Sequence, residues 1–260
     1  GFESVLYGED RTRVEHANAV VGGNSIFYGG AALRLRETDF SRWPITYDEL
    51  SPYYDEAEAI LGVHGAEGAD PFEPPRGGPY PHRPIDYTAP AQRIVRASES
   101  LGYRPFPLPL AINFTDEREP LCIRCTTCDG FPCKLEAKND AARTFLRLGM
   151  AEGLTLLANT RVHEILLSGD RATGLVCVDR SSLDRVELTA DTIVVAAGAI
   201  ESPSLLTRSG LGSHPAIGRY LMRHCNAIVS CLFPFQTNPD RTFHKQVCVA
   251  DFYEDFRDRD

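Results

Sequence analysis

Thr192 to Gly212, TIVVAAGAIESPSLLTRSGLG, is the stretch whose reading decides the fold. Ile193, Val194, Val195, Ala196 and Ala197 form a short apolar run without alternation, the pattern of a parallel strand buried on both faces. Gly198 ends the run with no side chain, so another backbone or a flat ligand can approach where a Cβ would stand in the way. Ser202-Pro203 reads as a helix start, with the hydroxyl as N-cap and proline in the first helical position. Leu205 and Leu206 bury one side of that helix, and Gly210 supplies its stop. Strand, glycine and exposed helix N-terminus together present backbone N–H groups to an anionic dinucleotide.

The run Gly198-Ala199-Ile200-Glu201-Ser202-Pro203-Ser204-Leu205-Leu206-Thr207-Arg208-Ser209-Gly210-Leu211-Gly212 resembles the second signature of the glucose-methanol-choline (GMC) flavin oxidoreductases along its whole length. Upstream, Ala19 to Arg34, AVVGGNSIFYGGAALR, is similar to the family's first signature: a glycine pair, two small polar residues, then Asn or His. Here Asn24 replaces the first small polar residue, Phe27 an aliphatic one, and Tyr28 stands where Asn or His is usual.

The resemblance implies an α/β fold, an FAD-binding Rossmann-like (GMC-type) domain that is incomplete in this chain, followed by the start of an antiparallel-sheet substrate domain. It implies that Gly22, Gly23, Asn24, Ser25, Tyr28, Gly29 and Gly30 run along the pyrophosphate and flavin of FAD. The glycines would give close approach, and Asn24 and Ser25 would donate hydrogen bonds. Val162, through its backbone alone, Ala197 and Gly198 would lie near the adenosine half. The implied reaction oxidises a CH-OH group of an alcohol, sugar or polyol by hydride transfer to flavin N5, with a histidine as base. That histidine is expected beyond Asp260.

No G-x-G-x-x-G follows a strand, and the nearest spacing, Gly210-x-Gly212, has Pro215 where the last glycine belongs. The chain is therefore expected to be the middle of a longer enzyme. Gly218 to His224 is similar to the family segment after the second signature, which places His224 near the cofactor and not in the role of base.

Composition is that of a chain with a real core: 43% hydrophobic and 24% charged. A net charge of -9 argues against nucleic acid and against an anionic membrane surface as partners, and no apolar run is long enough to span a bilayer. The expected partners are a small-molecule alcohol or sugar and an electron acceptor of unspecified kind.

Punctuation sets the layout. Residues 1–45 read as an FAD-binding segment, 46–113 as a helical and Pro/Gly-rich insertion, and 114–150 as a Cys-rich loop and helix. Residues 151–224 follow as a second FAD-binding segment with a β-meander, and 225–260 as the opening of the substrate-domain sheet. Thr46-Tyr47-Asp48-Glu49 is a capping box, and the helical spacing after it ends at Gly62. Ile94, Val95 and Leu101 with Gly102 suggest another short helix, and Arg104 to Phe114 an extended strand at a sheet edge. Leu154–Leu157, Val162–Leu167, Gly174–Val178 and Val186–Leu188 read as strands, with Ser168-Gly169-Asp170 as a hairpin turn. Ile228–Phe233 and Gln246–Val249 are β-prone, and such isolated strands leave apolar surface exposed.

Cys122, Cys125, Cys128 and Cys133 hold four of the chain's eight cysteines. Their C-x2-C-x2-C-x4-C spacing is close to the ferredoxin pattern for an iron-sulfur cluster and fits zinc less well. Structural thiols or a disulfide packing a loop over the cofactor would give the same sequence. The alternatives to a flavin oxidoreductase are accordingly an iron-sulfur or zinc electron-transfer module, and a non-redox lyase of the same family. Cys177, Cys225, Cys231 and Cys248 read as small core residues, and His64, His82, His163, His214 and His244 as surface or loop residues.

Overall fold

In the computed structural model, residues 19–222, 226–243 and 245–253 are described in full, and the strands Val5–Tyr7 (β1) and Thr12–Val14 (β2) as backbone. His224, Cys225 and His244 lie outside the described residues. The chain forms two compact units, 1–21 with 155–231 and 22–154 with 232–260.

In the first unit β1 pairs antiparallel with β2. Three further strands, Thr160–Ser168 (β4), Arg171–Asp179 (β5) and Arg185–Thr189 (β6), form an antiparallel meander in the order β4-β5-β6. Ser168 pairs with Arg171, so Gly169-Asp170 is the two-residue hairpin turn, with Gly169 at φ 60. Gly174 sits where β6 crosses closest: a Cβ there would stand 2.4 Å from the Leu188 carbonyl oxygen. The helix Gly198–Arg208 (α4) packs on β4, and Gly210, at φ 76, follows its end.

Three expectations for this unit are corrected. Leu154–Leu157 joins no ladder, and its Leu154, Leu156 and Leu157 side chains are exposed. The apolar run Ile193–Ala197 also carries no ladder, and Val194 is 83% exposed. A fully apolar strand needs a hydrogen-bonded neighbour on its edges and cover on its faces, and no described residue pairs with this one. Third, α4 begins at Gly198 and encloses Pro203, instead of starting at Ser202-Pro203. The left-handed turn at Gly198, φ 82, already aims the chain along the helix axis, so Pro203 only removes one donor inside it.

In the second unit the helices Tyr47–Leu61 (α1) and Ala89–Ser100 (α2) form where their caps and periodicity place them. The Thr46 hydroxyl accepts from the Glu49 N–H at 3.3 Å, the Glu49 carboxylate accepts from the Thr46 N–H at 2.7 Å, and Gly62 closes α1 at φ 57. A π-helical turn, Ala142–Leu146, runs into Arg147–Ala151 (α3). The remaining strands are short, Phe106–Pro107 (β3) and Val247–Cys248 (β7), and pair antiparallel.

The segment around β3 is the spine of this unit and not a sheet edge. Phe106, Leu108, Leu110 and Ile112 are all buried, and the last three pack with Phe243 as its core cluster. Prolines at 105, 107 and 109 explain the short ladder without expelling the segment from the interior. They strip donors from one side only, while Leu108 N–H and Leu110 N–H on the other side reach Gln246 and His64 carbonyls at 2.8 and 2.9 Å. The proline side still accepts, since the Ala32 N–H donates to Pro109 O at 2.9 Å. Beyond the prolines, Ala111 N–H donates to Gly30 O at 2.7 Å.

His64 is buried at 2% exposure, which corrects its reading as a loop residue: its N–H and C=O both pair with Leu110, and its ring stacks on His82 at 4.7 Å. Beneath α1 a charged network is buried, in which Arg34 donates to Glu58, Asp55 and Tyr47, and Arg76 bonds Glu58 and Glu73. Residues 226–243 carry no strand. Ile228, Val229 and Leu232 are exposed as expected, and Cys231 is exposed against the expectation of a core residue. The units break at 21/22, 154/155 and 231/232, and the glycine turn after Val21 is hydrogen-bonded to the spine and to residues near 140.

Candidate cofactor site

In the second unit, Gly22 and Gly23 stand at φ 90 and 53 and open a one-turn 3-10 helix, Gly23–Ile26. Most of the turn is shaped by the protein's own packing. A Cβ on Gly22 would lie 2.7 Å from Ile26 Cγ2 and 2.9 Å from Ala142 Cβ. One on Gly30, at φ 80, would lie 2.8 Å from Ile112 Cγ1. Gly29 is pressed by the Asp129–Lys245 ion pair, with Asp129 Oδ1 1.8 Å from its Cβ position. Only Gly23 of these four meets nothing within 4 Å, so it alone leaves room for an incoming ligand.

The Ser25 and Tyr28 hydroxyls are bonded within the protein, whereas Asn24 is exposed. The Ser25 hydroxyl donates to Gly22 O at 2.7 Å and accepts the Ala141 N–H at 3.1 Å, so it closes the turn. The Asn24 carbonyl accepts the Phe27 N–H at 3.1 Å. The Tyr28 hydroxyl donates to the Asn139 carbonyl, and burial, with Asp140 nearby, raises its pKa so that it stays a neutral donor.

The cysteine loop lies directly behind this turn. Gly130 N–H donates to Phe27 O at 2.9 Å, and the Lys138 ammonium donates to the carbonyls of Tyr28, Cys128 and Phe131. Cys122 and Cys128 pack against the core cluster. Cys122 Sγ accepts the Arg124 N–H at 3.3 Å, and Cys125 Sγ lies 3.4 Å from Thr127 Oγ1. Burial, reinforced by the neighbouring cysteines, pushes the Cys128 thiol up to about 11, whereas Thr127 hydrogen bonds hold that of Cys125 below the ordinary value. Among the described residues no three His, Cys, Asp or Glu side chains form a group that could hold a metal ion. The Cys122, Cys125 and Cys133 thiols and the Lys138 ammonium all lie within electrostatic reach of Cys128. A single buried lysine leaves no periodic signal by which its three contacts could be foreseen.

In the first unit the open feature is the head of α4. Ala197 caps the helix without a side-chain hydrogen bond, Gly198 follows at φ 82, and a Cβ on Gly198 would meet nothing within 4 Å. The first-turn N–H groups are thus left for a ligand carrying negative charge. Val162 lies on β4, the edge of its sheet, at a register shift between Val162 and Glu164. An edge strand keeps half of its backbone groups turned away from its neighbour. Beside Val162, the C-terminal end of α4 anchors that strand: Arg208 Nε donates to His163 O at 3.2 Å and Ile165 N–H to Ser209 Oγ at 2.8 Å. The glycine turn lies in one compact unit and the head of α4 in the other.

The family model of the GMC oxidoreductases matches residues 5–226. Paromamine 6'-oxidase of Streptomyces fradiae is 37% identical over 235 residues, covering 81% of this chain and 42% of that protein. The 6'''-hydroxyparomomycin C oxidase of Streptomyces lividus is 36% identical, covering 77% of this chain and 41% of that protein. The 2-methyl-1,2-propanediol dehydrogenase of Mycolicibacterium austroafricanum is 31% identical, covering 78% and 40%. The chain thus spans about two fifths of the length of these relatives. No helix among the described residues is long and apolar enough to cross a membrane.

Proposed function

We propose that this chain, which belongs to the GMC oxidoreductase family, carries the FAD-binding part of an enzyme that oxidises a CH-OH group of a small alcohol or sugar. FAD, when bound, supplies the acceptor for the hydride that leaves the carbinol carbon. The observation that carries the reading is Gly198: a left-handed glycine with open space beside it, at the uncapped head of an eleven-residue helix. Its N–H and those after it hold negative charge without a cation.

Ala197 and Gly198, with the Val162 backbone on the sheet edge, are assigned to the adenosine half. Gly23 is assigned to close approach on the other side of the cofactor. Gly22, Gly29, Gly30, Ser25 and Tyr28 act one step back, fixing the shape of the turn, and the exposed Asn24 is assigned to donate to the cofactor. No described histidine is assigned as the base: His64 is buried in its stack, and His214 Nδ1 accepts the Ala216 N–H.

The substrate class follows the relatives, whose names specify paromamine, hydroxyparomomycin C and a methyl propanediol. An iron-sulfur cluster on the four cysteines has spacing in its favour and no metal-holding group behind it, so it is left out of the proposal. Iron and acid-labile sulfide in the purified protein would bring it back.

The test is FAD titration of the full protein against its Gly198→Ala variant. Alanine at φ 82 costs about 1–2 kcal/mol of stability, while FAD affinity is expected to fall at least tenfold. Unchanged affinity would remove the proposal. Bleaching of bound flavin by alcohols, read with oxygen and with an artificial dye as acceptor, separates oxidation from the lyase alternative.

A further inference from the structure

We propose that Lys138 is a positioning residue that fastens the glycine turn, Gly22 to Gly30, to the cysteine loop, making that loop the backing of the cofactor seat. Its functional half rests on the FAD reading above; its structural half stands without it.

Lys138 is 1% exposed, yet its ammonium is not spent on a surface ion pair. Nζ lies 2.5 Å from Tyr28 O, 2.9 Å from Cys128 O and 2.8 Å from Phe131 O. An ammonium has three donors, and all three are used on carbonyls from two loops distant in sequence. Three carbonyl oxygens converging on one point repel one another unless a cation lies between them. An apolar side chain there would leave three part-buried acceptors without their shared donor.

The other contacts between the loops are weaker or more exposed. One is a single hydrogen bond from Gly130 N–H to Phe27 O at 2.9 Å; the Asp129–Lys245 pair at 2.6 Å flanks Gly29 near the surface but ties the cysteine loop to Lys245 and not to the turn. Lys138 is in turn anchored by its backbone, which bridges to Ile112 in the spine. The ammonium therefore transmits the position of the core to both loops at once. Through Tyr28 it holds the residue between the two glycine pairs, and with it the shape the cofactor meets. Arg is a poor replacement, because its planar fork spreads donors that must here converge.

The experiment is hydrogen exchange on the full protein without flavin, comparing wild type with Lys138→Met. Amides 27–30 and 128–131 are expected to exchange at least tenfold faster in the variant, with α2 unchanged. Acceleration of neither loop, or of one alone, overturns the fastening. Should the methionine variant fail to fold by far-UV circular dichroism, Lys138→Arg is read the same way.

Addition of FAD to the wild type gives the second reading, in which both loops gain protection together. Protection of the turn without the cysteine loop overturns the backing role. Protection of neither defeats the FAD reading while leaving the flavin-free comparison to decide the fastening. In the flavin-loaded variant, at least a tenfold weaker FAD affinity and an altered visible circular dichroism of the flavin are expected, which general destabilisation alone would not produce. Wild-type affinity with an unaltered spectrum would refute the positioning role.

Discussion

Gly30→Ala and Gly23→Ala are the same chemical change in the same turn, and the structure assigns them different costs. Both positions are left-handed, at φ 80 and φ 53, so each alanine carries a backbone penalty of about 1–2 kcal/mol. At Gly23 nothing more is added, because no atom lies within 4 Å of the new Cβ. At Gly30 the Cβ would stand 2.8 and 2.9 Å from Ile112 Cγ1 and Cδ1. Ile112 is 1% exposed and wedged in the core cluster with Leu108, Leu110 and Phe243, so it has no room to retreat. Overpacking of this kind adds about 1–3 kcal/mol. The expected gap between the variants is that added term, or roughly 2–12 °C in Tm for a chain of this size. Differential scanning calorimetry of the two proteins beside wild type reads it directly. Equal shifts would refute the argument that the spine, and not backbone conformation alone, fixes glycine at 30. A larger loss of FAD binding than of stability for Gly23→Ala would match its assignment to the ligand side.

Arg34→Met removes the centre of the buried network and leaves Asp55 and Glu58 short of their shared cation, so urea unfolding should report about 3–5 kcal/mol of lost stability. A loss under 1 kcal/mol would mean that the network is not closed to water. Burial, with His82 stacked on it, lowers the pKa of His64 below 6.5, against the opposing hydrogen bond to Arg83 O. The unfolded chain therefore binds more protons than the folded one below about pH 6.5, and stability should fall as pH drops through that point. His64→Gln should flatten this acid limb, and an unchanged slope in denaturant midpoints between pH 7.5 and 5.5 would count against it. Iodoacetamide at pH 8 should label Cys125 before Cys128, since the thiolate is the nucleophile and Cys128 is pushed up to about 11. Peptide mass mapping that found Cys128 labelled first would contradict the packing described for the loop.

Local elements were legible where a residue acts on its own neighbours. The α1 capping box, the Gly62 stop and the Gly169-Asp170 hairpin are short-range devices that need only a few adjacent residues, and all form as read. Errors came where the outcome depended on a distant partner. Prolines at 105, 107 and 109 suggested an edge, but they remove donors from one side only, and His64 and Gln246 supply the other. Ile193–Ala197 has the composition of an interior strand, but composition cannot supply the neighbours that make one. The Ser25 and Tyr28 hydroxyls show the same dependence, because a hydroxyl in a glycine turn is free until something far away in sequence claims it. Here the Ala141 N–H and the Asn139 carbonyl do so.

By itself the sequence determined the family, through two signatures whose glycines and caps encode local backbone conformation, and so the α/β, FAD-binding class of the fold. Tertiary structure decided which of those glycines serve the protein's own packing and which stand open, and it alone joined the glycine turn to the cysteine loop through Lys138. The physical reason is range. Turn chemistry is settled within a few residues, whereas a buried ammonium finds its three carbonyls only once the chain between positions 28 and 138 has folded around the spine.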